Sequence, residues 1–377
     1  MLRDRRIWPI GRIWLGAAVT ALFVALAFVQ LDIGETWSVA ARANYAYLVP
    51  AIAVYAVSLY VRSFRWRYLL RPFADVHSWR LYPVILVGYM ANNILPVRLG
   101  ELARSYYLSV REPVRGSTAL ATILVERVFD GLTLLVFLAV AALFLPIEAL
   151  ALRIGETRGL APWGVAALLA APFIGVLAGI VLVALRPEPS RALVQRLTQR
   201  LPGGAGARVQ EVADRFIAGF EGLHRPSRLG AVFARSVPIW LAEAVMYYIV
   251  ALGFDLQDQL GGPLAMASAI LVVTAASNLA TALPSSPGSL GPFEALAVLA
   301  LVFLGVDGET ALAYAIVLHL ALLLPVIAAG LAHLAARGLT LGELMRRREA
   351  AVAPDAQAAV APDGPSAVAP DGREERA

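Results

Sequence analysis

Apolar residues in this chain fall in long, nearly unbroken stretches, not in alternation and not in single stripes. Such runs lie at about 13–31, 46–61, 81–97, 116–145, 162–185, 236–253, 263–284, 293–305 and 310–336. A stretch of roughly 20 apolar residues spans the hydrocarbon core of a bilayer as a helix. The pattern therefore predicts an all-α bundle that passes through a membrane several times. Arg3, Arg5, Arg6 and Arg12 precede the first run, no small-residue cleavage site follows it, and further runs come after. It reads as a retained helix, not a cleaved signal.

Two of the runs are interrupted. The run 81–97 contains Asn92-Asn93 and Pro96, and both of its flanks are basic. On one side stands an arginine- and aromatic-rich collar, Arg62-Ser-Phe-Arg65-Trp66-Arg67 with Arg71. On the other stand Arg98, Arg104, Arg111 and Arg115. Basic flanks favour the cytoplasmic side, so this segment is expected to enter and leave on one face. The runs 263–284 and 293–305 are joined by Pro284-Ser-Ser-Pro-Gly-Ser-Leu-Gly-Pro292, between acidic loops with Asp255 and Asp258 before and Asp307 and Glu309 after. By the same rule it is a broken hairpin entered from the opposite face. Both termini are then cytoplasmic.

The two interrupted segments share an order of residues. Asn93, Pro96, Leu99-Gly100 and Glu101 are matched by Asn278, Pro284, Leu290-Gly291 and Glu294. Thr118-Ala-Leu-Ala121 is matched by Thr310-Ala-Leu-Ala313, and nine residues beyond each Thr stand Arg127 and His319. Opposite orientation and shared order predict an inverted repeat. Paired broken segments of that kind line substrate sites near the membrane midplane. The alternative is that these Pro and Gly residues merely kink packed helices.

Two other regions differ from the runs. Between 186 and 235 there are nine arginines and four acidic residues, and Val209, Val212, Phe216, Phe220 and Leu223 form one helical stripe. This insert is either an amphipathic helix on the inner leaflet or a helix packed on the bundle. After the membrane domain, 1–349, the sequence Ala-Val-Ala-Pro-Asp recurs at 351–355, 359–363 and 367–371. A tail of this composition cannot offset its ordering entropy, so 350–377 is expected to be disordered.

Composition agrees with a membrane chain. Of 377 residues, 59% are hydrophobic and 16% charged, against about 25% charged in soluble domains. Cysteine is absent, which removes thiol chemistry, and the four histidines lack metal-ligand spacing. No metal or cofactor is expected. The net charge of +5 comes from arginines between apolar runs, which orient spans and give no reason to invoke nucleic acid. There is no Walker A loop, Gly-x-Ser-x-Gly or His-Glu-x-x-His, so no catalytic residue is assigned.

The candidate chemistry lies in charges within the runs. Glu126, Arg127 and Asp130 sit near the middle of the 116–145 helix, where each unpaired charge costs roughly 2.5–3.5 kcal/mol. They form either a structural ion-pair cluster or a polar substrate path. Arg98, Glu101 and Arg104 recur at i,i+3 after the first break. Arginine binds phosphate bidentately, and the helix start behind a break favours an anion. An anionic phospholipid or polyprenyl-phosphate headgroup fits that set; plain positive-inside anchoring is the alternative for the arginines. Glu243 and Glu294 have no sequence-local partner, and are candidates to carry protons or meet a cationic headgroup. Asn92, Asn93 and Asn278 mark the breaks. His319 is either a packing residue or part of the site.

The blocks around Arg62–Arg67, Asn92–Arg104, Glu126-Arg127-Val-Phe-Asp130-Gly131 and Pro287-Gly-Ser-Leu-Gly291-Pro-Phe-Glu294 resemble the lysylphosphatidylglycerol synthase transmembrane-region family, also called UPF0104. The resemblance covers about 10–340, with Pro287-Gly288-Ser289 where the family has a Pro-Gly-Gly type turn. It implies a bacterial inner-membrane protein that moves lipids between leaflets. The family's soluble synthase domain is not found in this sequence, so lipid synthesis is not implied, and a separate lipid-modifying synthase is a candidate partner. A scaffold subunit for such an enzyme, and an intramembrane headgroup transferase or hydrolase, are the competing functions.

Overall fold

The computed structural model describes residues 31–95, 99–144, 186–199, 226–282 and 286–358, with single positions at 20, 21, 175, 182, 206, 210 and 214. Nearly all of the runs at 13–31 and 162–185, and the stripe from Val209 to Leu223, lie outside the described residues. So do Pro96, Arg98, Pro284 and the tail beyond 358.

The described chain is helical and contains no strand. Helix α1 is Ile33–Arg42. Asp32 starts it by accepting from the amides of Gly34 and Glu35 at 2.7 and 3.1 Å, as an N-cap does for otherwise unsatisfied donors. Helices α2, Leu48–Leu70, α3, Ser78–Ile94, α4, Gly100–Arg111, and α5, Gly116–Ala142, follow. Helix α6, Pro187–Thr198, belongs to the basic insert. Then come α7, Pro226–Leu252, a short α8, Leu256–Gln259, α9, Pro263–Ala280, α10, Pro292–Phe303, α11, Gly308–Ala335, and α12, Leu341–Ala358.

Four stretches of the described chain are long and apolar enough to cross a membrane: Tyr45–Leu70, Ser227–Leu252, Pro263–Ala280 and Gly308–Ala335. Helix α5 has 27 residues, about 40 Å at 1.5 Å per residue, but carries Glu126, Arg127 and Asp130.

Helices α2 to α5 have 23, 17, 12 and 27 residues; α7, α9, α10 and α11 have 27, 18, 12 and 28. The first members of the two series, α2 and α7, pack along each other. Within each series the helix before the break packs on the helix after it, α3 on α4 and α9 on α10. Across the series, α3 packs on α11 and α9 on α5. Small residues permit these approaches, as is usual where hydrocarbon rather than water surrounds the helices. A Cβ at Gly330 of α11 would lie 2.6 Å from the Met90 Cβ of α3, and one at Gly100 would strike the Gly88 carbonyl oxygen and, at 2.5 Å, the Asn92 amide.

Local hydrogen bonds fix the helix start that follows each break. The Gly100 amide, at the start of α4, donates to Asn92 Oδ1 at 2.8 Å. The Gly291 amide, at the start of α10, donates to Glu294 Oε2 at 2.7 Å. The second break includes a 3-10 turn, Pro287–Ser289, with positive φ at Gly288, Ser289 and Gly291. The two breaks meet: the turn packs against α3, and a Cβ at Gly288 would lie 3.7 Å from the Asn93 carbonyl oxygen.

One expectation is corrected. The collar after the second run is not a collar. Helix α2 continues to Leu70, and Arg62 and Arg65 are buried within the bundle. Their i,i+3 spacing sets both on the face that meets α5 and α7, where carboxylates await them. At the other end, α12 runs from Leu341 to Ala358.

Candidate functional site

Four helices bring their charges to one place. Arg62 and Arg65 come from α2, Arg104 from α4, Glu126 and Asp130 from α5, and Glu243 from α7. Arg62 Nη2 donates to Glu243 Oε2 at 2.6 Å. Arg65 Nη1 donates to Asp130 Oδ1 at 2.6 Å and to Ser236 Oγ at 2.8 Å. Arg104 Nη1 donates to Glu126 Oε2 at 2.7 Å. Longer contacts tie the pairs together: Arg62 to Asp130 at 3.7 Å, and Arg65 to Glu126 at 3.6 Å. Trp240 Nε1 donates to the same Asp130 oxygen at 2.9 Å.

Aromatic faces complete the enclosure. The Arg104 guanidinium lies 3.7 Å from the Trp66 ring centre, and that of Arg62 lies 4.9 Å from Trp240. Trp66 is itself fixed by donating to Thr122 Oγ1 at 3.0 Å. Stacking of this kind suits the weakly hydrated guanidinium.

The six buried side chains are each 5% exposed or less, and their charges, three positive and three negative, cancel. Beside them stands a more open pair. Arg127, 36% exposed, faces Glu101, 23% exposed, at 3.5 Å. Arg127 also reaches Asp130 at 3.7 Å and donates to the Tyr89 hydroxyl at 3.4 Å. Among the described residues, Arg62 Nε and Arg104 Nε and Nη2 are buried with no hydrogen-bond partner.

The structure thus gathers Glu101, Arg104, Glu126, Arg127, Asp130 and Glu243 into one cluster. Arg98 lies outside the described residues. Glu243 does have a partner, Arg62, which its sequence neighbourhood does not reveal. Arg104 is buried against Glu126 and Trp66 and does not lie at an exposed collar. Asn92 serves the first break, as described above. Asn93 is half-buried, with its carbonyl against the second break. Asn278 donates to the Tyr247 hydroxyl at 2.8 Å and to the Thr274 carbonyl at 2.9 Å.

Glu294 and His319 form a second, separate pair. His319 Nδ1 lies 2.5 Å from Glu294 Oε1, and Phe293 stacks on the imidazole at 4.1 Å.

Arg62, Arg65, Tyr89, Ser236 and Trp240 belong to the cluster and are missed by the sequence reading. One signal points to them. Glu243 and Asp130 each demand a cation, and Arg62 and Arg65 are the arginines nearest the end of an apolar run at i,i+3 spacing. The positive-inside rule assigns that same pattern to a collar and hides the match.

Several membrane-crossing helices around a buried, charge-balanced core define a multi-pass membrane protein with a polar interior. The chain belongs to the family described as lysylphosphatidylglycerol synthase TM region, whose model matches residues 13–330. It is similar to glycosyltransferase AglD of Haloferax volcanii, at 27% identity over 81% of this chain and 51% of AglD. The chain therefore spans about half of that relative's length. It is also similar to two UPF0104 membrane proteins of Methanothermobacter thermautotrophicus. One is 26% identical over 85% of this chain and 94% of the relative; the other is 25% identical over 73% and 78%.

Proposed function

We propose that the protein moves a lipid between leaflets, with the headgroup entering a polar cavity beside the first break and the acyl chains remaining in the bilayer. The observation that carries this reading is the Arg127–Glu101 pair. It is the open edge of an otherwise sealed cluster, so its charges are available to a headgroup without exposing the buried pairs. Arg127 would hold a phosphate oxygen, of an anionic phospholipid or a polyprenyl phosphate, and Glu101 would orient the guanidinium. Arg98 and Arg104 remain candidates for the same phosphate.

In this reading the two helix series are an inverted repeat, with two re-entrant hairpins in a bacterial inner membrane and both termini cytoplasmic. The matched helix lengths and the exchanged packing of α3 on α11 and α9 on α5 support it.

The test is translocation of acyl-labelled phosphatidylglycerol or polyprenyl phosphate in vesicles carrying the purified protein. Arg127→Ala and Glu101→Ala should each slow movement about tenfold or more, as for the loss of a charged hydrogen bond of about 1.5–3 kcal/mol. Undiminished movement by well-folded variants sinks the assignment. A second reading is favoured by the extra length of AglD, a protein named as a glycosyltransferase. There the membrane region would serve an enzyme that modifies lipids, as scaffold or as part of a transferase. Product formation by purified protein, or co-purification of a synthase with the charged cluster dispensable, would favour it.

A further inference from the structure

The order of residues that pairs Glu101 with Glu294 and Arg127 with His319 has a counterpart in side-chain geometry. Glu101 contacts Arg127, and Glu294 contacts His319, in each case from the short helix after the break to the long helix that follows it. One pair holds a permanent cation. The other holds the side chain whose charge changes between about pH 5 and pH 8. From this correspondence we infer that His319 and Glu294 form a proton-binding site whose occupancy is coupled to lipid movement. The coupling rests on the translocation reading; the site itself does not.

The atoms that carry the proton follow from the contacts. An ionised carboxylate only accepts, so Nδ1 of His319 keeps its hydrogen and donates it to Glu294 Oε1. The lone pair of the neutral ring is then on Nε2, which has no hydrogen-bond partner among the described residues. A proton added at Nε2 converts the neutral donor into an imidazolium. The pair then becomes an ion pair, as a guanidinium and a carboxylate are in Arg127 and Glu101. A proton lost from Nε2 leaves Glu294 as an uncompensated carboxylate in a largely buried setting.

The surroundings isolate this exchange. Ionisable groups on the elements packed against α11 include Glu35 and Arg42 of α1, Tyr55 and Arg62 of α2, Tyr82 and Tyr89 of α3, Glu243 and Tyr247 of α7, and Glu294 of α10. Among the described residues, only Glu294 is within hydrogen-bonding or ion-pair distance of the His319 ring. The ring is 5% exposed, with Phe293 on its face. Tyr247, whose ring approaches Phe293 at 6.4 Å, donates no hydrogen bond to either member. Glu294 is anchored on its other oxygen by the Gly291 amide, at the start of α10. A change of charge at His319 is therefore felt at the second break, the segment that meets Asn93 of the first.

Two measurements on the full-length protein separate the site from its coupling. In nanodiscs, labelled histidine NMR recorded from about pH 8 down to about pH 5 should show a proton taken up at Nε2 of His319. The signal is identified by its absence in His319→Gln, and Glu294→Gln, which removes the carboxylate from the ring, should weaken proton uptake there. A His319 that keeps one charge state across that range overturns the inference whatever the lipid does. In vesicles with acyl-labelled phosphatidylglycerol, movement by the wild type should change roughly tenfold between about pH 5.5 and pH 7.5, as one imidazole titrates. His319→Arg, which copies the other half, should abolish that dependence while retaining movement. Movement indifferent to pH, with His319 titrating, overturns the coupling alone. No movement at any pH, with His319 titrating, overturns the translocation reading and the coupling together while the proton site stands.

Discussion

Asp130 carries more of the cluster than any other single side chain. It accepts from Arg65 and Trp240 and lies within 3.7 Å of Arg62 and Arg127. Removing it leaves buried guanidinium groups without a counter-charge, a loss of about 3–5 kcal/mol for one broken buried pair. Asp130→Ala should therefore unfold in detergent at a clearly lower temperature than wild type. Arg127→Ala, at a side chain one-third exposed, should shift that temperature by much less; equal shifts would contradict the division into sealed and open parts. The individual charges on α5 are legible in the sequence because three charges in an apolar run need an explanation. Their partners on α2 are not. Pairing between Arg62 and Glu243 spans 181 positions, and periodicity describes only neighbours.

At the scale of elements, ends are set by local chemistry and were the easier part to read. Asp307 begins α11, accepting from the Thr310 amide at 3.1 Å. That hydrogen bond, with the Thr310 hydroxyl, holds the Asp307 carboxyl below its ordinary value. A folded-state value below the unfolded one means that the cap's contribution is complete above about pH 4. It is lost as pH falls through the depressed value. Asp307→Ala should cost about 1 kcal/mol at neutral pH, and the deficit should shrink towards zero in acid, measured as thermal stability against pH. A deficit that persists unchanged in acid would show that the side chain acts through something other than its charge. Among the described residues, the runs at 81–97, 116–145, 263–284, 293–305 and 310–336 became helices close to their expected limits. The exceptions are α2, which outran its apolar stretch because arginine is a good helix former with a buried partner, and α7, which begins at Pro226, ahead of its run at 236.

For the whole molecule, the helix series and their exchanged packing carry the prediction of opposed halves. Membrane-impermeant thiol reagents applied from each side test it. On the proposed inverted arrangement, single cysteines at Asn92 and Asn278 should label from opposite sides. The natural chain contains no cysteine, so each variant reports alone. Labelling of both from one side would remove the basis of the inverted arrangement. The class of the molecule was legible from apolar runs alone. The placement of its interior was not, because each buried charge is satisfied by a residue from a different helix.

That distribution also constrains how the chain is made. Arg62 and Arg65 leave the ribosome long before any of their carboxylates. Asp130 follows Arg65 by 65 positions and Glu243 follows Arg62 by 181. At about 5–20 residues per second, α2 waits several seconds for its first counter-charge and longer for its second. During that interval the nascent segment holds two cations that lipid cannot accommodate. It must stay near water or inside the insertion machinery until α5 and then α7 arrive. The buried core can therefore close only in the order of synthesis, with α2 completed first by α5 and then by α7.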